Sequence, residues 1–121
     1  MRFITAMFPL FGTVASVPRL DMSCFCNSLT PGTDWVYNWE LTKYTCKHNY
    51  QGYANYDTGS GQCIPNRSRL DFDQFQNNCL QAGTVDGYCR YKEDDTVDTS
   101  LKLFVHYASA TCRKPDPYGR W

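Results

Sequence analysis

The chain has 121 residues, of which 42% are hydrophobic, 16% aromatic and 20% charged. Twelve Lys and Arg residues balance twelve Asp and Glu residues, so the chain lacks the basic excess that neutralises nucleic-acid phosphates. No apolar run approaches the length of about 18 residues that crosses a bilayer. We therefore expect one small soluble domain that binds neither nucleic acid nor membrane.

The amino-terminal segment has the pattern of a secretory signal peptide. A short positively charged start, residues 1–2, precedes a mostly apolar stretch over residues 3–14, and residues 13–16 are small enough for signal peptidase. A core strand or helix is the alternative, but Pro9, Gly12 and the lack of polar alternation count against it. We predict a signal peptide over residues 1–17, a single domain over 18–112 and a carboxyl-terminal tail over 113–121.

Seven cysteines follow the predicted signal, and all are disulfide candidates: Cys24, Cys26, Cys46, Cys63, Cys79, Cys89 and Cys112. In a small secreted chain, cysteine this dense is typical of a disulfide framework. Seven choices of the unpaired thiol and fifteen pairings of the other six give 105 connectivities, so the pairing stays open. The spacings Cys24-x-Cys26 and Cys46-x-His48 are narrower than those of zinc sites, so we expect no metal and no cofactor.

The first predicted elements are a strand over residues 20–26 and, after a turn, a helix over residues 33–47. A Thr-Asp pair at the start of the second segment can cap that helix. Trp35 and Trp39 lie about one helical turn apart, but with Tyr37 between them they also alternate as in a strand. The cap and the length of the segment favour the helix.

A glycine-rich turn joins two short predicted strands, residues 52–57 and 62–64, in a hairpin. Asn66 then begins an Asn-Arg-Ser sequon for N-glycosylation, which suits a secreted protein. Ser68 can cap the clearest helix of the sequence, residues 69–81, which has carboxylates in its first turn and an apolar stripe.

The last predicted strands cover residues 84–91 and 100–108, and alternate residues such as Phe104 and His106 share one face. The acidic loop 93–98 between them lacks the spacing of a calcium loop, so we interpret it as a solvated hairpin tip. The element order is strand, helix, two strands, helix, two strands. It predicts an α+β fold, a disulfide-stabilised two-layer sandwich with two helices on one face of a small antiparallel sheet.

The sequence offers little of the chemistry that a hydrolase needs, with two histidines, two glutamates and none of the usual nucleophile or metallohydrolase motifs. Residues 48–53, His-Asn-Tyr-Gln-Gly-Tyr, resemble the histidine-to-glutamate strand of the fungal guanyl-specific ribonucleases. At the position of that family's general base, however, this chain has Gln51, an amide that cannot accept a proton at neutral pH. We predict that the protein is not an enzyme, and an inactive ribonuclease-like protein is the alternative.

Four short motifs are spaced along the predicted domain. They are Thr42-x-x-x-Cys46, Gly52-Tyr53, Gly61-Gln62-Cys63 and Phe75-x-x-x-Cys79. With the predicted signal peptide, the seven cysteines and the aromatic-rich composition, they resemble those of small cysteine-rich fungal effectors. More narrowly, the chain resembles the family of the fifth Secreted-In-Xylem effector and the blackleg avirulence ten A effector.

That resemblance implies a non-enzymatic virulence or avirulence protein of a plant pathogen. Such a protein associates with a second secreted effector encoded by a neighbouring gene, and a host plant resistance protein recognises it. The expected partners are therefore a second effector and host plant proteins, with a homodimer as a further option. The resemblance also implies secretion into the apoplast or xylem, and it leaves entry into host cells open.

Aromatic content supplies an independent reason to expect a binding surface, because 16% aromatic residues exceed what so small a core needs. Tyr, Trp and Arg are the residues most often found as interface anchors. The partner-interface candidates are Trp35, Tyr37 and Trp39 on the first predicted helix, and Phe104 and His106 on the last predicted strand. Burial in the core is the alternative for each of them.

Overall fold

An antiparallel sheet with two helices packed on it forms the centre of the fold. The computed structural model describes residues 20–21, 23–66 and 69–113, so the predicted signal peptide and residues 114–121 of the predicted tail lie outside the described residues. The strands are Leu20–Asp21 (β1), Ser23–Leu29 (β2), Val36–Tyr37 (β3), Ala54–Asp57 (β4), Gln62–Pro65 (β5), Leu70–Asp71 (β6) and Tyr107–Arg113 (β7). The helices are Trp39–Asn49 (α1) and Phe72–Leu80 (α2), and a π-helical segment, Gln81–Asp86, follows α2.

Strand β2 lies in the middle of the sheet and pairs on both sides. On one side it pairs along its whole length with β7, from Ser23 opposite Arg113 to Leu29 opposite Tyr107. On the other side β5 pairs with β2 at Cys24, and β3 pairs with β2 further along. Strands β4 and β5 form the predicted hairpin, and β1 and β6 form a separate two-stranded ladder.

Both helices cover the same face of the sheet. Along β2 the side chains of Cys24, Cys26 and Ser28 are buried, as expected from the alternation of side chains along a strand. Cys26 is bonded to Cys79 of α2, and its sulfur also lies 3.6 Å from the hydroxyl oxygen of Thr45 on α1. The predicted α+β fold, with two helices on one face of a small antiparallel sheet, is confirmed.

Three disulfide bridges join the elements, so the predicted disulfide framework is also confirmed. They are Cys24–Cys112 between β2 and β7, Cys26–Cys79 between β2 and α2, and Cys46–Cys63 between α1 and β5. The seventh cysteine, Cys89, is a free thiol and is buried. Each helix is therefore bonded covalently to the sheet that it covers.

The core lies between the helices and the sheet. Phe75 of α2 and Leu41 of α1 are fully buried, and the Tyr50 ring stacks on Phe75 with 5.5 Å between ring centroids. Most of the remaining core consists of half-cystines and alanines, because β2 and β7 present small residues to the helices. A core with so few large side chains buries little apolar area, and the bridges compensate for that deficit.

The first helix begins later than the sequence predicts. Instead of covering residues 33–47, α1 starts after Asn38, whose side-chain oxygen accepts a hydrogen bond from the main-chain N–H of Leu41. The residues before this cap are extended because β3 pairs with β2. The predicted helical segment thus contains a short strand followed by the helix. The prediction that Trp35 and Tyr37 lie on the helix is wrong.

The second helix is shorter than predicted but has the predicted inward stripe. The sequence places it over residues 69–81 with Ser68 as its cap; in the structure Asp71 is the N-cap, and Ser68 lies outside the described residues. The Asp71 carboxylate accepts hydrogen bonds from two main-chain N–H groups of the first turn. Phe75 and Cys79 point inward and are fully buried.

The predicted strands over residues 84–91 and 100–108 are wrong. The first of these segments starts in the π-helical segment, and Tyr88 then makes an isolated bridge with Leu103. The last strand, β7, begins only at Tyr107 and continues past the predicted end.

A shift in the buried positions explains the late start of β7. Leu103 and Val105 are half-buried against the core, whereas from Ala108 onward the buried residues are the even-numbered ones. One flat strand cannot place both sets on the same face, because a shift of one residue turns every side chain to the other side. The chain therefore bends at His106, and β7 begins at Tyr107 with the other set of residues buried.

Candidate functional site

The predicted interface residues around β3 lie on the surface in a continuous stretch of chain. We define the aromatic ridge as Trp35, Val36, Tyr37 and Trp39. Their exposed fractions are 49%, 58%, 43% and 48%. Burial in the core, the alternative for Trp35, Tyr37 and Trp39, does not occur. Large apolar side chains that are exposed next to one another are typical of an interaction surface.

Tyr37 holds the aromatic ridge against the rest of the sheet. Its hydroxyl donates a hydrogen bond to the main-chain oxygen of Gly61 and lies 3.3 Å from the Tyr56 hydroxyl, and its ring meets Phe25 edge-on at 5.3 Å. Partial burial, together with the hydrogen bond to Tyr56, raises the pKa of Tyr37 well above its usual value. The phenol therefore stays neutral and fixes the position of β3.

Trp35 and Trp39 differ from Tyr37 because neither indole makes a hydrogen bond or a ring contact with another residue of the described part of the chain. Trp35 directly precedes β3, and Trp39 is the first residue of α1. The backbone next to each of them is fixed, by the pairing of Val36 with Ser28 in one case and by the Asn38 cap in the other. The two indoles are about half exposed and therefore accessible to a partner.

The other two interface candidates lie elsewhere. Phe104 and His106 are exposed, on the segment that leads into β7. Strand β7 pairs with the opposite edge of β2 from β3, so the structure does not bring the five candidates into one surface. The Phe104 ring lies against Gly87, where a β-carbon would come within 2.8 Å of it. This contact indicates that Phe104 packs on the loop as well as facing solvent.

A second surface feature was missed by reasoning from the sequence. A cleft of about 460 Å³ lies beside α1, and we define the basic cleft by the charged and aromatic residues that line it, Lys43, Lys47, His48, Tyr56, Tyr91 and Asp95. The Lys43 ammonium lies 2.9 Å from one carboxylate oxygen of Asp95, and the Lys47 ammonium lies 3.0 Å from the other. These lysines hold the pKa of Asp95 below its usual value. The sequence contains one sign of this cleft, two lysines one helical turn apart. It does not reveal their acidic partner, which is about fifty residues away in sequence.

The ribonuclease-like residues also lie in the basic cleft. His48 and Gln51 both line it, so the structure brings together the two positions that the resemblance singles out. The imidazole of His48 stacks on the Tyr44 ring, with 5.0 Å between centroids and 11° between planes. Gln51 supplies amide hydrogen-bonding groups at this place and no proton acceptor for base catalysis.

The candidate glycosylation residue Asn66 is exposed just after β5. Its side-chain oxygen accepts a hydrogen bond of 2.6 Å from Asn55, and its amide nitrogen donates one of 3.4 Å to the Gly52 carbonyl. The other two residues of the sequon lie outside the described ranges. Glycosylation of Asn66 stays a prediction, and the sugar would be attached to the amide nitrogen that donates to Gly52.

Two further findings concern the class of protein. Among residues 20–21, 23–66 and 69–113, neither helix combines the length and the apolar character needed to cross a membrane. Comparisons with protein-family models, with curated proteins and with solved structures found no match to this chain.

Proposed function

We propose that the protein is a secreted fungal virulence or avirulence effector that acts by binding other proteins through the aromatic ridge. Its partner is a second secreted effector encoded by a neighbouring gene, and the pair acts on host plant proteins and is recognised by a resistance protein. The observation that carries this proposal is the exposure of Trp35 and Trp39, each about half accessible on a fixed backbone.

The ridge has the physical properties of a binding hot spot. Tryptophan is among the residues that contribute most when buried at an interface, and its rigid ring loses little conformational freedom on binding. Val36 adds exposed apolar area to the same short segment of chain, and Tyr37 anchors that segment to the sheet. Because the ridge is already ordered, binding does not require the ordering of a flexible segment.

The disulfide framework supports secretion. Three bridges persist in an oxidising compartment and are rare in proteins of the cytosol, where thiols are kept reduced. Together with the signal-peptide pattern of residues 1–17, they support export to the apoplast or xylem. Entry into host cells would expose the bridges to reducing conditions, and the buried positions of the six half-cystines would slow their reduction.

The test is association of the purified protein with the product of the neighbouring gene under oxidising conditions. The variant Trp35→Ala/Trp39→Ala removes both indoles, and we expect it to weaken binding by at least about thirtyfold, as loss of a hot spot does. The control Val85→Ala/Leu101→Ala truncates two side chains that are also exposed, 61% and 59%, but lie outside the ridge. It should bind like the wild type.

Two results would overturn this proposal. One is failure of the wild-type proteins to associate; the other is equal binding by the ridge variant and the wild type. Sedimentation of the protein alone completes the experiment, because a homodimer that the ridge variant abolishes would identify a second copy of the chain, instead of the companion effector, as the partner.

The ribonuclease-like alternative is distinguished by activity. Its support is the placement of His48 and Gln51 in one cleft. We expect no cleavage of RNA, because the Gln51 amide cannot act as a general base. RNA is incubated with the wild type and with His48→Ala; cleavage by the wild type that the variant lacks would replace the binding proposal with an enzymatic one.

A further inference from the structure

The basic cleft carries more positive charge than its own residues neutralise. Lys43 and Lys47 lie one turn apart on α1 and share one carboxylate, that of Asp95. Glu40, the acidic residue of α1 itself, is already paired with Arg90 at 2.6 Å. Among the residues that the structure describes, one unit of positive charge therefore stays uncompensated between the two ammonium groups.

The lysines are held in place by aromatic rings. The Lys43 ammonium lies 5.9 Å from the centroid of Tyr56 and 5.2 Å from that of Tyr91, and the Lys47 ammonium lies 5.4 Å from Tyr91. Such cation–π contacts orient an ammonium group without neutralising it. The Lys43 side chain is only 17% exposed, so water screens its charge incompletely. The cleft therefore presents two fixed cations to anything that enters it.

Asp95 has the character of a replaceable counterion. It is the one non-glycine residue with a positive φ, 67°, in the described part of the chain, a conformation that costs backbone strain. Its loop is closed by two main-chain hydrogen bonds, from Asp95 to Lys92 and from Lys92 to Thr96. The Asp95 side chain is 55% exposed. It can leave the lysines by a local movement that disrupts no part of the core.

We infer that the basic cleft binds a small phosphomonoester, whose phosphate replaces the Asp95 carboxylate between Lys43 and Lys47. A phosphomonoester dianion neutralises both ammonium groups, which a single carboxylate does not, and its bonds to them are charge-assisted. The volume of about 460 Å³ is that of a small-molecule site and accommodates a group the size of a sugar. Gln51, Asn55 and Thr58 line the cleft and supply hydrogen-bonding groups for its hydroxyls.

The test is calorimetric titration of the purified protein with glucose 6-phosphate, with glucose as the neutral control. We expect glucose 6-phosphate to bind and glucose not to bind. Lys43→Gln and Lys47→Gln should each weaken it by at least about tenfold, the effect of losing one charge-assisted hydrogen bond. Lys92→Gln removes a charge from a residue that does not line the cleft and should leave the affinity unchanged.

Asp95→Asn gives the sharper test, because here we expect the affinity for the phosphate ester to rise. A misfolded protein could not produce such a rise. Removing the internal carboxylate should tighten binding severalfold. Its matched control is Asp94→Asn, which changes the same charge on the adjacent residue, whose carboxylate is bonded to Thr96 and not to the lysines. Equal gains in both variants would indicate a general charge effect and overturn the site.

The inference also fails if neither the wild type nor Asp95→Asn binds glucose 6-phosphate, or if the Lys43→Gln and Lys47→Gln variants bind it as tightly as the wild type. It is independent of the aromatic ridge, so Trp35→Ala/Trp39→Ala should bind the phosphate ester with wild-type affinity. Loss of binding in that variant, with the protein still folded, would overturn the placement of the site in the basic cleft.

Discussion

The main-chain N–H and C=O of Cys26 have no strand partner on one side of β2, because β5 pairs with β2 at Cys24 and β3 begins to pair with it only at Asn27. The start of α1 fills this gap. The N–H of Cys26 donates a hydrogen bond of 2.8 Å to the Thr42 hydroxyl, and its carbonyl accepts one of 3.0 Å from the Asn38 N–H. A threonine side chain thus completes the sheet, and it satisfies a buried donor that would otherwise be unpaired.

Thr42→Val tests this role, since valine keeps the shape and β-branching of threonine and loses the hydroxyl. We expect the free energy of unfolding to fall by about 1–3 kcal/mol, the cost of leaving the buried Cys26 N–H without a partner. Thr45→Val is the control, because Thr45 is equally buried but, within the described part of the chain, its hydroxyl pairs with the Cys26 sulfur, at 3.6 Å, and with no main-chain donor. Denaturant unfolding that gives the two variants the same loss would contradict the assignment.

At the scale of elements, the π-helical segment is fitted closely to the chain that precedes β7. The N–H of Val105 donates a hydrogen bond of 2.8 Å to the Gly83 carbonyl. A β-carbon on Gly83 would lie 2.9 Å from Val105 Cγ2, 3.1 Å from Leu41 Cδ2 and 3.3 Å from the β-carbon of Ala108. Glycine is needed here because three neighbours occupy the space of a side chain.

Gly83→Ala therefore separates packing from helix propensity. Propensity alone would stabilise the protein by up to about 1 kcal/mol. We expect the opposite sign, a loss of about 1–3 kcal/mol, because the added methyl overpacks the site. Thermal unfolding measures the difference, with Gly59→Ala as the control, since a β-carbon there meets Asp57 at an ordinary 3.6 Å. In Gly83→Ala/Val105→Ala the loss should be smaller than the sum of the single losses. A more stable Gly83→Ala would exclude this account.

Elements defined by local chemistry could be predicted from the sequence, and elements defined by long-range pairing could not. The hairpin of β4 and β5 follows from its glycine-rich turn, and α2 follows from the carboxylates near its start and its apolar stripe, although its cap is Asp71 and not the predicted Ser68. The start of α1 depends on β3 pairing with β2, and the local alternation of residues 35–39 does not by itself reveal that partner. In the same way, only the arrangement of β7 against β2 reveals that the alternation before Tyr107 changes phase.

The two surface sites also depend on contacts between distant parts of the chain, which the sequence does not show. Composition indicated excess aromatics, but whether Trp35 and Trp39 are buried depends on what packs against β3. The basic cleft joins lysines of α1 to Asp95 of a distant loop, so only the folded chain reveals it.

At the scale of the whole molecule, the bridges take the place of a large apolar core. They span 88, 53 and 17 residues, and closing loops of these lengths contributes about 3–5 kcal/mol each in the chain-entropy account. Every bridge has at least one cysteine on the sheet, so the sheet is the common attachment of both helices and of β7. Both surface features include residues of α1, which a bridge bonds to the sheet. Trp39 of the aromatic ridge is the first residue of this helix, and Lys43 and Lys47 of the basic cleft lie one and two turns further along it.

Burial of tyrosine side chains makes the stability of the protein depend on alkaline pH. Tyr50 is buried between the helices, where burial raises the pKa of its phenol to about 12 and a hydrogen bond from Asn78 partly opposes that rise. The unfolded chain ionises at the ordinary value of 10.0, so between pH 10 and 12 the unfolded state binds fewer protons than the native state. The contribution of this group is complete below pH 10 and is lost as the pH rises through about 12.

Tyr50→Phe removes that ionisation and should make the decline of stability between pH 10 and 12 shallower, by up to about 1.4 kcal/mol per pH unit for one proton. At pH 7 the same variant should show only the constant cost of losing the bond to Asn78. Unfolding is measured against pH in a Cys89→Ala background, because the free thiol would exchange with the bridges once ionised. A decline with the same slope in Tyr50→Phe as in its parent would show that other groups, such as Tyr37, Tyr44 and Tyr91, whose pKa values burial also raises, govern the alkaline limit.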